Sequence, residues 1–170
     1  WALAYMRKRL HAFANVTPQA LRDLVIASRI LTPRSGRQIV ERGDYSSTVF
    51  SVLRGEVHLS AGEGQRMTLQ AGQLFGEISL ISGRPHQNSA VAGKDCVLLA
   101  TPHSAVKKLM KADAGVRDYI DRGFIVRALK LFLLPHASAK TIHALADGAK
   151  IHRLAAGETL FQQGALVDRL

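Results

Sequence analysis

The run Phe75-Gly76-Glu77-Ile78-Ser79-Leu80-Ile81-Ser82-Gly83-Arg84-Pro85-His86 holds the residues of this chain best suited to chemistry. A Gly-Glu pair opens one short amphipathic turn of helix. A Gly-x-Pro segment, Gly83-Arg84-Pro85, then leads toward the apolar strand Ala90-Val91-Ala92. Backbone N–H groups at the start of a helical turn lack partners and attract an anion. A carboxylate fixed beside them accepts from a sugar hydroxyl. Together the two features suit a phosphate carried on a sugar.

Other chemistries lack their residues. The seven histidines, His11, His58, His86, His103, His136, His143 and His152, are scattered, and no pair has His-x-x-x-His spacing. With Cys96 as the one cysteine, neither a structural metal site nor an intrachain disulfide is expected. Cys96 lies in the apolar run Cys96-Val97-Leu98-Leu99-Ala100 and reads as a buried small hydrophobe. No Gly-x-Ser-x-Gly elbow is present, Gly62-Glu63-Gly64 does not continue into a dinucleotide loop, and no phosphate-loop Lys-Ser/Thr pair occurs. The expectation is a protein without catalytic residues, metal or cofactor.

Composition sets wider limits. The 170 residues suffice for one domain and part of another, and 47% hydrophobic content supports a packed core. Lysine and arginine total 23 against 13 acidic residues, a formal charge of +10. That excess favours anionic partners: nucleotides, nucleic acid, acidic protein faces or membrane surfaces. It does not choose among them, and a solvated surface is the alternative. No apolar span of membrane-crossing length and no signal-peptide pattern occur. The chain starts at Trp1 and stops at Leu170, and it reads as a piece of a longer protein.

The elements that position the Gly-Glu run follow from periodicity. Residues 3–13 place Leu3, Met6, Leu10 and Phe13 at helical spacing, with Arg7-Lys8-Arg9 on the outer face, and residues 1–14 form an expected N-terminal helix. Thr17-Pro18 starts a second helix, with Leu21, Leu24 and Val25 on one face. From Arg37 to Thr101 the texture is short strands and turns. Gln38-Ile39-Val40 and Val49-Phe50-Ser51-Val52-Leu53 are strands, and Arg54-Gly55 reads as a tight hairpin into Glu56-Val57-His58-Leu59-Ser60. Ala61 to Gln65 is a second turn, before Arg66-Met67-Thr68-Leu69. Such strands predict an antiparallel sandwich or jelly roll. Helices return at Pro102, with a long apolar stripe from Val116 to Phe132 and another helix over 139–149.

The chain also repeats itself. Gly36-Arg37-Gln38-Ile39-Val40-Glu41-Arg42-Gly43 matches Gly157-Glu158-Thr159-Leu160-Phe161-Gln162-Gln163-Gly164 at an offset of 121 residues. Each copy follows a Leu-rich helix. The expectation is a domain over 15–134 and the beginning of a second, truncated copy over 137–170.

Residues 10–130 resemble a cyclic-nucleotide-binding domain of the kind found in catabolite activator proteins, protein kinase A regulatory subunits and nucleotide-gated channels. Four features carry the resemblance in order: Gly36-x-x-Ile39-x-x-x-Gly43, Phe50-x-Val52-Leu53-x-Gly55-x-Val57, Gly72-x-x-Phe75-Gly76-Glu77 and Gly83-x-Pro85. The resemblance implies a mainly β fold with flanking helices, an eight-stranded β roll of the jelly-roll (double-stranded β-helix) type. It also implies a short helix between strands that forms the ligand cassette, and a trailing helix that moves with ligand. The implied ligand is cyclic AMP or cyclic GMP. The implied binding residues are Gly76, Glu77, Ile78 and Ser79, with Arg84, His86, Gln87 and Ser89 beside the phosphate. Glu77 matches the glutamate that accepts from the ribose 2′-hydroxyl. A cytoplasmic location and an attached output domain follow from the same resemblance.

One family residue is missing. The arginine that pairs with the cyclic phosphate falls at His86, or at Gln87 or Asn88 with a slip of register. A charge-assisted hydrogen bond of that kind contributes about 1.5–3 kcal/mol. A protonated His86 would replace it in part and make binding acid-dependent; Arg84 is a second substitute. The leading expectation is a regulatory sensor that signals through residues 113–134. The competing one is a decayed, ligand-independent scaffold for protein interaction. A basic nucleic-acid binder ranks third, because no helix-turn-helix follows the roll and no nucleic acid is expected. The long apolar helix could also pair two chains.

Overall fold

A computed structural model describes residues 7–8, 10–60, 66–152 and 154–164. Half of the expected first helix, including Leu3, Met6 and Arg9, lies outside them, as does the turn over 61–65. Within them, Leu10 and Phe13 flank or occupy a 3-10 turn, His11–Phe13, and are each 1% exposed. Helix α1, Pro18–Ile26, starts where Thr17-Pro18 requires: the Thr17 hydroxyl accepts from Ala20 N.

Eight strands follow: β1 Arg29–Leu31, β2 Gln38–Val40, β3 Thr48–Arg54, β4 Glu56–Ser60, β5 Arg66–Gln70, β6 Leu74–Phe75, β7 Ser89–Ala92 and β8 Val97–Pro102. They form two four-stranded antiparallel sheets, ordered β1-β8-β3-β6 and β2-β7-β4-β5. The strand texture led to an antiparallel sandwich or jelly roll, and the family resemblance to this eight-stranded β roll. Helix α2, Glu77–Ser82, is inserted between β6 and β7. After β8 come α3, His103–Ala112, and α4, Ala114–Ala128. A π-turn over Leu129–Leu133 and α5, Ala139–Gly148, complete the order.

Burial explains the strand texture. In β3 the five residues Val49 to Leu53 are all buried, because both faces are covered. Phe50 and Val52 face the roll interior with Val57, Leu59, Leu69, Phe75 and Leu98, whereas Val49 and Leu53 join a helical layer. That layer holds Leu21, Leu24, Val106, Leu109, Val116 and Ile120. A strand buried on both faces is continuously apolar; β4, with one face in solvent, alternates. Cys96 is buried in the roll interior, as expected.

One local reading is corrected. Arg54-Gly55 is not a hairpin: β3 pairs with β6 and β8, and β4 pairs with β5 and β7. Gly55 turns the chain from one sheet to the other. A Cβ there would stand 2.3 Å from the Lys94 carbonyl oxygen, so the corner is too close-packed for a side chain. A hairpin and a sheet-switching corner share the same tight-turn sequence, which is why the residues alone mislead.

The repeat extends to backbone geometry. The Ser138 hydroxyl accepts from Thr141 N at the start of α5, as Thr17 does from Ala20 N at α1. Glu158 N bonds to Ala155 O at 3.0 Å, and Arg37 N to Arg34 O at 3.0 Å. Gly36 and Gly157 have φ of +82° and +83°; Gly43 and Gly164 have +94° and +83°. The burial differs: Val40 is 4% exposed, and its counterpart Phe161 is 62% exposed.

Candidate functional site

The cassette is held from three sides. Gly76 caps α2 at φ +89°, and a Cβ there would lie 2.6 Å from the Thr48 carbonyl oxygen. Only glycine combines that backbone with that approach. Gly83 ends the helix in the left-handed conformation and bonds from its N to Ser79 O at 2.9 Å. Loop 41–47 secures the exit: Gly43 N donates to His86 O at 2.8 Å, and His86 N donates to Asp44 O at 2.9 Å.

Glu77 is 0% exposed, and its Oε1 accepts from Arg127 Nε at 2.5 Å. Arg127 comes from α4, fifty residues on, and is itself 7% exposed. The pair is only half used. Glu77 Oε2 and Arg127 Nη2 are buried without hydrogen-bond partners, as is Asn88 Oδ1. Buried polar atoms nearly always have partners, so three orphans in one place call for an explanation. Glu77, Asn88 and Arg127 all line a single narrow cleft of about 20 Å³, open on one side. Its remaining wall is Gly76, His86 and Gln87 with an apolar lining that includes Val40, Leu59, Phe75 and Ile78. Phe75 is fixed there by stacking on Phe50, with centroids 4.9 Å apart.

His86 is buried, and its Nε2 is 2.7 Å from Ser46 Oγ. Burial pushes its pKa below the ordinary histidine value, against the opposing pull of Asp44 and Glu77. The imidazole therefore favours the neutral form, which works against the expectation that it replaces the arginine by protonation. His103 is shifted in the same direction by burial, then by Lys107 and His86.

The eight sequence-derived candidates divide. Gly76, Glu77, Ile78, His86 and Gln87 line the cleft. Ser79, Arg84 and Ser89 do not. The Ser79 hydroxyl donates back to Gly76 O at 2.8 Å, and the Ser89 hydroxyl accepts from Arg42 N at 3.0 Å. Arg84 is exposed, and its N donates to Ser82 Oγ. Arg127 was not among the candidates, and its burial in the folded chain is what marks it. Val116, Ile120, Arg127 and Leu131 are the buried positions of α4 and the π-turn, so a guanidinium occupies a place on the apolar stripe. A cation on such a stripe requires a buried acid.

Eight strands in two sheets with an inserted helix define the fold of the cyclic-nucleotide-binding β roll. Residues 32–113, from the end of β1 to the start of α4, match the family model described as "Cyclic nucleotide-binding domain". The chain is 25% identical over 129 residues to a cAMP-dependent protein kinase regulatory subunit of Eremothecium gossypii, covering 76% of this chain and 28% of that protein. It is 33% identical over 93 residues to a cyclic nucleotide-gated potassium channel of Mesorhizobium japonicum, covering 55% and 25%. The chain thus spans about a quarter of the length of these curated relatives. Among solved structures it is similar to the Thermus thermophilus catabolite activator protein, with a TM-score of 0.55 and 27% identity over 70% of this chain and 58% of that one.

Proposed function

We propose that residues 15–134 are a regulatory sensor that binds a cyclic nucleotide, cyclic AMP or cyclic GMP, in the Glu77 cleft. The bound state would pass through α4 to an attached domain. The observation that carries this reading is the half-used Glu77 carboxylate: buried, open at Oε2 toward a cleft-lining set of orphan polar atoms, and tied at Oε1 to α4. A ribose hydroxyl donating to Oε2 supplies the missing partner. Because Glu77 already holds α4 through Arg127, a ligand that engages Glu77 acts on the helix in the same event. Signalling requires only that the ligand prefer one placement of α4. The relatives named a regulatory subunit and a gated channel support a role in control rather than catalysis. Residues 137–170, with their matching caps and glycine turns, are proposed to open a second copy. A cytoplasmic setting is part of the same proposal; among the described residues no helix is long and apolar enough to cross a membrane.

The test is thermal unfolding with each nucleotide. Saturating ligand raises the midpoint of the wild-type chain, and Glu77→Gln, which keeps the shape and removes the charge, abolishes the rise. An undiminished rise in that variant would remove Glu77 from the site.

One observation favours a second reading. His86 fills the phosphate-side position with a hydrogen-bonded ring, and Arg127 lines the cleft, whose volume of about 20 Å³ is far below that of ligand pockets. A ligand-independent scaffold would look like this, and it predicts no thermal shift with either nucleotide.

A further inference from the structure

We infer that Arg127, from the trailing helix, is the cation that pairs with the ligand's phosphate in place of the absent cassette arginine. This rests on the cyclic-nucleotide reading of the cleft. Among the described residues, Arg127 is the only lysine or arginine that lines the cleft, and Arg84 lies outside it. Its side chain is 9% exposed, beside a Glu77 side chain at 1%. A guanidinium carries five N–H donors in a fixed fork and usually meets a carboxylate with two of them. Here the contact runs through Nε, and Nη2 is buried without a partner.

The uncommitted atoms are complementary. Glu77 Oε2 is a free acceptor, Arg127 Nη2 a free donor, and the two belong to one ion pair. A ligand with a hydroxyl next to an anionic oxygen satisfies both: the hydroxyl donates to the carboxylate, and the phosphate oxygen accepts from the guanidinium. Gly123 leaves the guanidinium room to adjust, since a Cβ at that helical position would stand 3.0 Å from Nη2. Under this assignment the phosphate is held by α4 itself. The cassette holds only the sugar, and ligand binding and helix position are coupled through one side chain.

The test compares each cyclic nucleotide with its parent nucleoside, adenosine or guanosine, by calorimetric titration of the whole chain. Wild type is expected to prefer the nucleotide by about tenfold or more. Arg127→Gln is expected to reduce that preference to near unity. Glu77→Gln is expected to weaken nucleotide and nucleoside alike and leave the ratio intact. Because Arg127→Gln leaves Glu77 buried and unpaired, the double variant Glu77→Gln/Arg127→Gln is measured too. It removes both charges, and its ratio must also approach unity. Retention of the wild-type preference in a folded Arg127→Gln or double variant would overturn the assignment. A folded wild-type chain that binds neither nucleotide would instead overturn the reading beneath it, and the assignment with it.

Discussion

At the scale of single residues, the Glu77–Arg127 pair decides both stability and the site. Removing one partner of a buried ion pair leaves an uncompensated charge and costs about 3–5 kcal/mol; removing both costs far less. Glu77→Ala and Arg127→Ala are therefore each expected to lower urea-unfolding stability by several kcal/mol. Glu77→Gln/Arg127→Gln should cost less than the sum of its single changes, and a double-mutant cycle measures the difference. The histidines add a pH dependence. His86 and His103 have folded pKa values below the ordinary one, so the unfolded chain binds more protons between the two values. Stability is then full above the ordinary histidine pKa of about 6.5 and falls as pH drops below it toward the folded values. Unfolding at pH 7.5 and pH 5.5 checks the sign, and His86→Asn should flatten part of the slope. Glu77 was legible in the sequence as a candidate because it closes the Gly72-x-x-Phe75-Gly76-Glu77 pattern that the chain shares with cyclic-nucleotide-binding domains. Arg127 was not, because its partner is fifty residues away and only the folded chain shows the two together.

At the scale of elements, the cassette depends on its glycine caps unequally. Gly76 has both a left-handed backbone and the Thr48 carbonyl 2.6 Å from any added Cβ, whereas Gly83, at φ +68°, has nothing within 4 Å. Gly83→Ala is expected to cost about 1–2 kcal/mol, the conformational penalty alone. Gly76→Ala should cost more and should disturb the cleft, since the clash is with backbone. Chemical denaturation of both variants ranks them, and equal losses would contradict the packing argument. The strands were legible where burial imposed a period: β4 alternates, and β3 is unbroken because helices and roll interior cover its two faces. The corner at Gly55 was not legible, since a turn residue does not reveal whether the chain returns beside its strand or crosses to another sheet. The link between α4 and α5, Arg122 with Asp147, is an exposed pair. Asp147→Asn should change stability by less than about 1 kcal/mol.

At the scale of the whole molecule, two glycine-bounded segments share local geometry and differ in packing. A Ser/Thr-capped helix and a turn closed at a left-handed glycine recur at an offset of 121 residues, with φ of +82° at Gly36 and +83° at Gly157. What differs is the partner. Val40 packs into the roll beside β7, and Phe161 is exposed. Phe161→Ala is accordingly expected to leave unfolding within about 0.5 kcal/mol, whereas Val40→Ala costs about 1 kcal/mol or more. The matching glycine spacing was legible because turns fix where glycines fall; which of the two segments packs into an interior is a property of the folded chain. The central claim is that the Glu77 cleft receives a cyclic nucleotide. Calorimetric titration of the chain with cyclic AMP and cyclic GMP at neutral pH tests it most directly. Saturable binding of at least one of them in the micromolar range, lost in Glu77→Gln, is the predicted result. Titrations without heat up to millimolar concentration for both, at two temperatures and with the chain folded, would contradict it.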